Sequence, residues 1–384
     1  MSRPFAVAVL VALQLVMVPA GAHAAQNCAP AEENVIAEPS WAQSRIAPER
    51  AWPLTEGSRQ LVGIVDTGVS AGAPALAGAV LPGTDLGTGR GDTDCSGHGT
   101  FLGGLLAARP RAGTKFAGVA PGARVLPVRV TDNPAQVDAA RLAKGVRAAV
   151  DGGATIVAVG LTTSVDDGAL RSEVANAVAR GVVIVASVAT PQQGQRSFPA
   201  ALPGVLAVAP LVRTPAAGNV RLGADPVLAA PSEALVSIAP AGQGHRRGSA
   251  PELAVAYVAG AAALVRDYHP DLSAAGVAER LRTTADRQAG AVPNPLTGFG
   301  VVDPVAAVTS VPVGTGTARK SSAEQLNVPV AIAPDAAPVH RALWFAGVLL
   351  VATLLVGASA GLRALGRLRG GENPTAAGSG PSAE

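Results

Sequence analysis

Charged and aromatic side chains are scarce in this chain. Asp, Glu, Lys and Arg make up 15% of it, and Phe, Trp and Tyr only 3%. The formal net charge is +3, and no run of Lys or Arg is interleaved with aromatics, so nucleic acid is not indicated as a partner. Cysteine occurs twice, at Cys28 and Cys95, and a lone pair offers too few ligands for a metal site. No cofactor motif and no internal repeat appear. The chain is instead rich in Ala, Val and Gly over 384 residues, enough for one large domain or two ordinary ones. Small apolar side chains on this scale bury a sizeable core, which excludes disorder throughout.

The two ends read as membrane signals. Residues 1–24 have the form of a secretory signal peptide: Arg3, the apolar run "FAVAVLVALQLVMV", then the small-x-small site Ala22 to Ala24. Near the other end, residues 342–362 form a stretch of 21 without a charge, long enough to cross ~30 Å of hydrocarbon as a helix. Arg363, Arg367 and Arg369 follow it, which places the tail, 363–384, in the cytoplasm and the bulk of the chain on the extracytoplasmic side. An exported pair of cysteines implies a disulfide. Cys28 and Cys95 are 67 positions apart, and closing such a loop stabilises by roughly 4 kcal/mol in the loop-entropy picture.

Between the ends, short β-branched runs alternate with Ala-rich stretches. Residues 61–69, 123–130, 154–161, 181–188 and 204–211 read as buried strands. Residues 138–153 and 168–181 read as helices, each stopped by Gly. Strand–helix–strand repetition implies an α/β fold with a mainly parallel sheet and helices on both faces, whose active site gathers at the carboxyl ends of the strands. Residues 25–50 form a polar, Pro-containing extension, 51–310 the main domain, and 311–341 a Gly/Pro/Ser/Ala linker that tethers it to the membrane.

Asp66 ends an apolar strand, where a carboxylate can orient and stabilise an imidazole. His98 stands in "DCSGHGTFLGGLLAA", with glycines before an Ala/Leu/Gly-rich helix. Each motif alone fits an ordinary turn. Together, followed by a helix reading "YVAGAAALV", they resemble the subtilases. The segments "WAQSRIAPERAWPLTEG", "LPGTDLG" and "GVAPGARVLPVRV", with the C-terminal anchor, resemble the mycosins in particular, the membrane-anchored subtilases of actinobacterial type VII secretion. The resemblance covers roughly residues 25–370. It implies a subtilisin-like domain, Asp66 and His98 at catalytic positions, and association with a type VII secretion membrane complex.

Two departures from the family pattern stand out. The family's nucleophilic Ser lies eight residues before the Gly of "VAG"; counted back from Gly260, that position is Glu252. The family's oxyanion Asn falls near Thr190, after "VIVASVA". A carboxylate is a poor acyl-transfer nucleophile and repels a developing oxyanion. Three readings of Glu252 stay open. Ser249-Ala-Pro-Glu252 has the spacing of a capping box; Glu252 could pair with His98, leaving the imidazole between two carboxylates; or Asp66, His98 and Glu252 could ligate a metal. The segment 242–248, "GQGHRRG", reads as a basic loop, either solvated or a partner contact.

The expected function is that of a degenerate subtilase on a membrane tether, a scaffold or binder of a peptide or protein ligand. The alternative is an active serine endopeptidase using Ser249 as nucleophile, His98 as base and Asp66 as orienter. A metal-dependent hydrolase is the third class.

Overall fold

The computed structural model describes residues 28–190, 194–213, 221–311 and 337–369. The expected signal peptide, most of the linker and the tail beyond Arg369 lie outside the described residues. The chain divides into two units, Met1–Pro312 and Val313–Glu384.

In the first unit, α1 (Trp41–Ile46) precedes β1 (Leu61–Asp66), β2 (Thr84–Asp85), α2 (His98–Ala107) and β3 (Arg124–Arg129). Then come α3 (Ala139–Asp151), β4 (Ile156–Val159), α4 (Gly168–Ala179), β5 (Val183–Ser187), β6 (Val205–Leu211) and β7 (Leu228–Pro231). A hairpin, β8 (Leu235–Ile238) and β9 (His245–Gly248), leads to α5 (Ala254–Tyr268), α6 (Ala274–Thr283) and α7 (Pro304–Thr309). Strands β1 to β7 form one parallel sheet in the order β2-β3-β1-β4-β5-β6-β7. The five expected strands are all present, each shorter than its apolar run.

The period of two along β1 shows how the layers are made. Gly63 and Val65 face Ala149 and Gly145 of α3, while Ile64 faces Gly103 of α2. Helices therefore cover both faces, and the strands are buried on both sides. Asp66 follows the same alternation and faces the α2 side, at the carboxyl end of β1. Helices α3 and α4 start where Asp138 and Asp167 accept backbone N–H bonds, and the left-handed Gly153 and Gly181 follow their ends. Helix α5 is buried except at Arg266 and Tyr268, and its Ala- and Gly-rich surface lets it lie close against β4 to β7.

The expected disulfide is present, in an extension whose course the sequence left open, and one stretch, 242–248, differs from the sequence expectation. The N-terminal extension is a strap built into the domain. Its backbone exchanges bonds with Cys95, Ala241, Gly244, His245 and Lys115, and Cys28 is disulfide-bonded to Cys95. The segment 242–248 is not simply a loop, because His245–Gly248 pairs with β8 as an antiparallel strand. Hairpin pairing forms there despite the polar composition; His245 is buried at the turn end of the strand and Arg247 is exposed.

The second unit contains α8 (Ala337–Arg369), within which Arg341–Arg363 is a 23-residue stretch of mean hydropathy 2.2, long and apolar enough to cross a membrane.

Leu264 is fully buried on α5. Leu264→Ala is expected to lower unfolding stability by about 2–5 kcal/mol, read from denaturant midpoints at unchanged m-value.

Candidate active site

His98 is the first residue of α2, at the carboxyl edge of the sheet beside Asp66. Its Nδ1–H donates to Asp66 Oδ1 at 2.8 Å and lies 3.0 Å from Oδ2. Asp66 is fully buried and also accepts from the Thr67 amide at 2.7 Å. A side chain on Gly160, which follows β4, would place its Cβ 2.0 Å from Asp66 Oδ2. The carboxylate therefore needs a bare backbone on the neighbouring strand end.

A second buried carboxylate, Asp94, builds the turn that carries His98. It accepts from the Thr67 hydroxyl at 2.9 Å, the Gly97 amide at 2.8 Å, and the Thr100 amide and hydroxyl at 2.8 and 2.7 Å. Thr67 Oγ1 in turn accepts from the Gly99 amide at 3.0 Å. Four residues around the imidazole are thus fixed by one carboxylate and one hydroxyl. Gly97 completes the turn at φ 81°, a left-handed conformation that suits Gly. Burial pushes the Asp94 carboxyl above its ordinary value, against the bonds from Thr100 and Gly97.

Glu252 is half-buried in a 3-10 turn, Pro251–Leu253, that runs into α5. The capping box expected of Ser249 and Glu252 does not form. The residue preceding the turn is Ala250, with no side-chain cap, and Ser249 Oγ accepts instead from the Ala234 amide at 2.9 Å. Ser249 directly follows β9, so its hydroxyl falls beside the β7–β8 turn and not over the helix end. Nor do Glu252 and His98 form an ion pair within 4 Å; among the described residues the short partner of His98 is Asp66. Their charges still interact. Burial opposes charge on His98, but Asp66, then Glu252 and Asp94, outweigh it and raise its pKa to about 9. Burial raises the Glu252 carboxyl, partly offset by its own amide and by His98. No group of three or more His, Cys, Asp or Glu is arranged to hold a metal ion among the described residues.

Thr190 is buried beyond β5, where its amide donates to the Arg221 carbonyl at 3.0 Å. It lines a cavity of about 320 Å³ together with Ser249, Ala250, Pro251, Ser232 and Glu233. The fold thus joins Asp66 directly to His98, sets Glu252 within electrostatic reach of both, and places Thr190 and Ser249 on one cavity wall.

Residues 57–301 match the profile of Peptidase_S8, the subtilase family. The chain belongs to the subtilase family. Among subtilases it is 31% identical over 378 residues to Mycosin-4 of Mycobacterium tuberculosis, spanning 85% of this chain and 81% of that protein. It is also 31% identical over 252 residues to Thermitase of Thermoactinomyces vulgaris, covering 64% of this chain and 88% of the relative. A solved structure described as "a serine protease MycP1, an essential component of the type VII (ESX-1) secretion system" superposes with a TM-score of 0.64 at 27% identity. It covers 74% of this chain and 92% of that one. This chain is a mycosin-like subtilase with a subtilisin-like fold.

Sequence reasoning passed over Asp94 and Gly160. Asp94 was legible as the acid four residues before His98, with Thr100 two beyond it. Gly160 gave no local signal, because its reason is the Asp66 carboxylate on the next strand.

The raised His98 pKa links to stability with a definite sign. His98 binds a proton more tightly folded than unfolded, so its contribution is fully present below about pH 6.5 and is lost as pH rises through about 9. The shift corresponds to something on the order of 3 kcal/mol. Urea unfolding from about pH 6 to about pH 10 should show this loss, and His98→Gln should remove most of it.

Proposed function

We propose that this subtilase has lost peptide hydrolysis and acts as a membrane-anchored scaffold or partner-binding protein of a type VII secretion complex. What supports the reading is the count back from Gly260 along the family pattern, which puts Glu252 where that pattern has its nucleophilic Ser. In this reading Asp66 and His98 hold catalytic positions without a nucleophile, Thr190 stands for the oxyanion Asn, and the protein ligand is bound without being cut.

Electrostatics supports the loss. A general base must be neutral to take a proton, and Glu252 adds to the effect of Asp66 in favouring the charged imidazole. Glu252 would further repel an oxyanion. In subtilisin, the measured case for both losses, removing the oxyanion Asn costs about 10²–10³ in turnover and removing the Ser on the order of 10⁶. Type VII partnership is carried over from the mycosin likeness, since a fold alone does not fix function. In the same proposal residues 1–24 direct export, 311–341 tether the domain, α8 anchors it, and the subtilase domain lies outside the cell membrane.

Ser249 is the serine of the competing, active reading. Its hydroxyl accepts from Ala234 N–H and makes no hydrogen bond to His98 among the described residues. Labelling of the folded protein with a serine-reactive fluorophosphonate, beside Ser249→Ala and His98→Ala, separates the two. No labelling is expected. Labelling of wild type that both variants abolish would overturn the proposal and make Ser249 the nucleophile.

A further inference from the structure

The strap that begins at Cys28 is fastened by a histidine. Ile36 N–H donates to His245 Nδ1 at 3.0 Å, an acceptor role open to that nitrogen only when it carries no proton. Around this bond, His245 N–H donates to the Asn34 carbonyl at 2.8 Å, Gly244 N–H to the Glu32 carbonyl at 2.7 Å, and Lys115 N–H to the Ala37 carbonyl at 2.9 Å. The Thr114 hydroxyl donates to the Ile36 carbonyl at 2.6 Å. His245 is 7% exposed, and its ring meets the Phe116 ring edge-on with centroids 5.1 Å apart. One imidazole thus ties together the strap, β9 and the connection between α2 and β3.

We infer that His245 is a proton-operated latch, which holds residues 32–37 against β9 when neutral and lets them go when protonated. Protonating Nδ1 sets an N–H against the Ile36 N–H, which replaces an attraction with a clash of two donors. The charged groups on the packed elements are Glu32, Glu33 and Glu38 of the strap, Arg111 and Lys115 of the α2–β3 connection, and Arg246 and Arg247 of β9; the residue opposite on β8 is Ile238. The surroundings disfavour charge on the ring, through burial first and the Arg111 charge second. The latched state therefore binds its proton less tightly than the open one. Latching is complete above the ordinary histidine range and weakens as pH falls through it.

Release is local by construction. The disulfide to Cys95 still holds Cys28, and Gly97 leaves only room enough for Ala29: a Cβ there would stand 3.1 Å from the Ala29 Cβ. What opens is the middle of the strap, uncovering the amides of Gly244 and His245 at the turn end of the β8–β9 hairpin. The sequence expectation for 242–248 was a solvated basic loop or a partner contact, and neither reading assigned a role to its histidine.

The test is amide hydrogen exchange on the full chain in detergent, from about pH 7.5 to about pH 5.5, corrected for intrinsic rates. The opening constants at Ile36, His245 and Lys115 should rise by up to about tenfold per pH unit below about 6.5, while Val157 in β4 stays flat. His245→Asn, whose Oδ1 can accept the same N–H without titrating, should abolish that slope. A flat wild-type profile, or an equal slope in His245→Asn, would overturn the latch. Should that variant not fold, ring nitrogen shifts of the wild type decide. Nε2–H at neutral pH, titrating together with strap opening, supports the inference, and an Nδ1–H tautomer contradicts it.

Discussion

A carboxylate sealed at the end of β1 and an imidazole donating to it at 2.8 Å form the interaction on which the rest of the site depends. Buried charge is costly unless paired, and Asp66 is buried completely. Its surroundings are accordingly specialised: a bare Gly160 on the next strand, the Thr67 amide as a second donor, and α2 beginning at the residue that supplies the imidazole. Asp94 is the support behind this pair. By accepting from Thr67, Gly97 and Thr100 it fixes the turn on which His98 stands, so that the imidazole arrives with its orientation already set.

A further carboxylate acts on that pair through its charge. Asp66 is the main cause that raises the His98 pKa, and Glu252 then Asp94 add to it. Burial alone would lower its pKa, so the direction of the shift shows which effect wins. In the proposed reading, α5, the sheet and the His98 turn carry the subtilase fold while Glu252 stands at the helix entrance where the family pattern has Ser.

Much of this was legible in the sequence, for reasons that can be named. Five β-branched runs became five central strands, because burial on both faces permits little else. Asp66 and His98 stood out at a strand end and a Gly-flanked turn, but their roles, and the position of Glu252, were readable only through the resemblance to the subtilase pattern. The strap was not legible, since polar residues with scattered Pro say nothing about where a backbone will find partners. The capping box failed for a related reason: local spacing satisfied the motif, but the Ala234 amide, distant in sequence, claimed the Ser249 hydroxyl. Gly160 and the hairpin strand His245–Gly248 likewise owe their places to neighbours far along the chain. Periodicity reports burial, while long-range hydrogen bonding leaves little trace in a single sequence.

The central claim is that His98 carries a proton at neutral pH because carboxylates flank it, Glu252 among them. Its ring nitrogen shifts, followed by NMR from about pH 6 to about pH 10 in the wild type and in Glu252→Gln, address this directly. The account predicts an imidazolium at pH 7 that titrates near 9 in the wild type, and a lower midpoint in the variant. A neutral ring at pH 7, or a midpoint unmoved by Glu252→Gln, would contradict it.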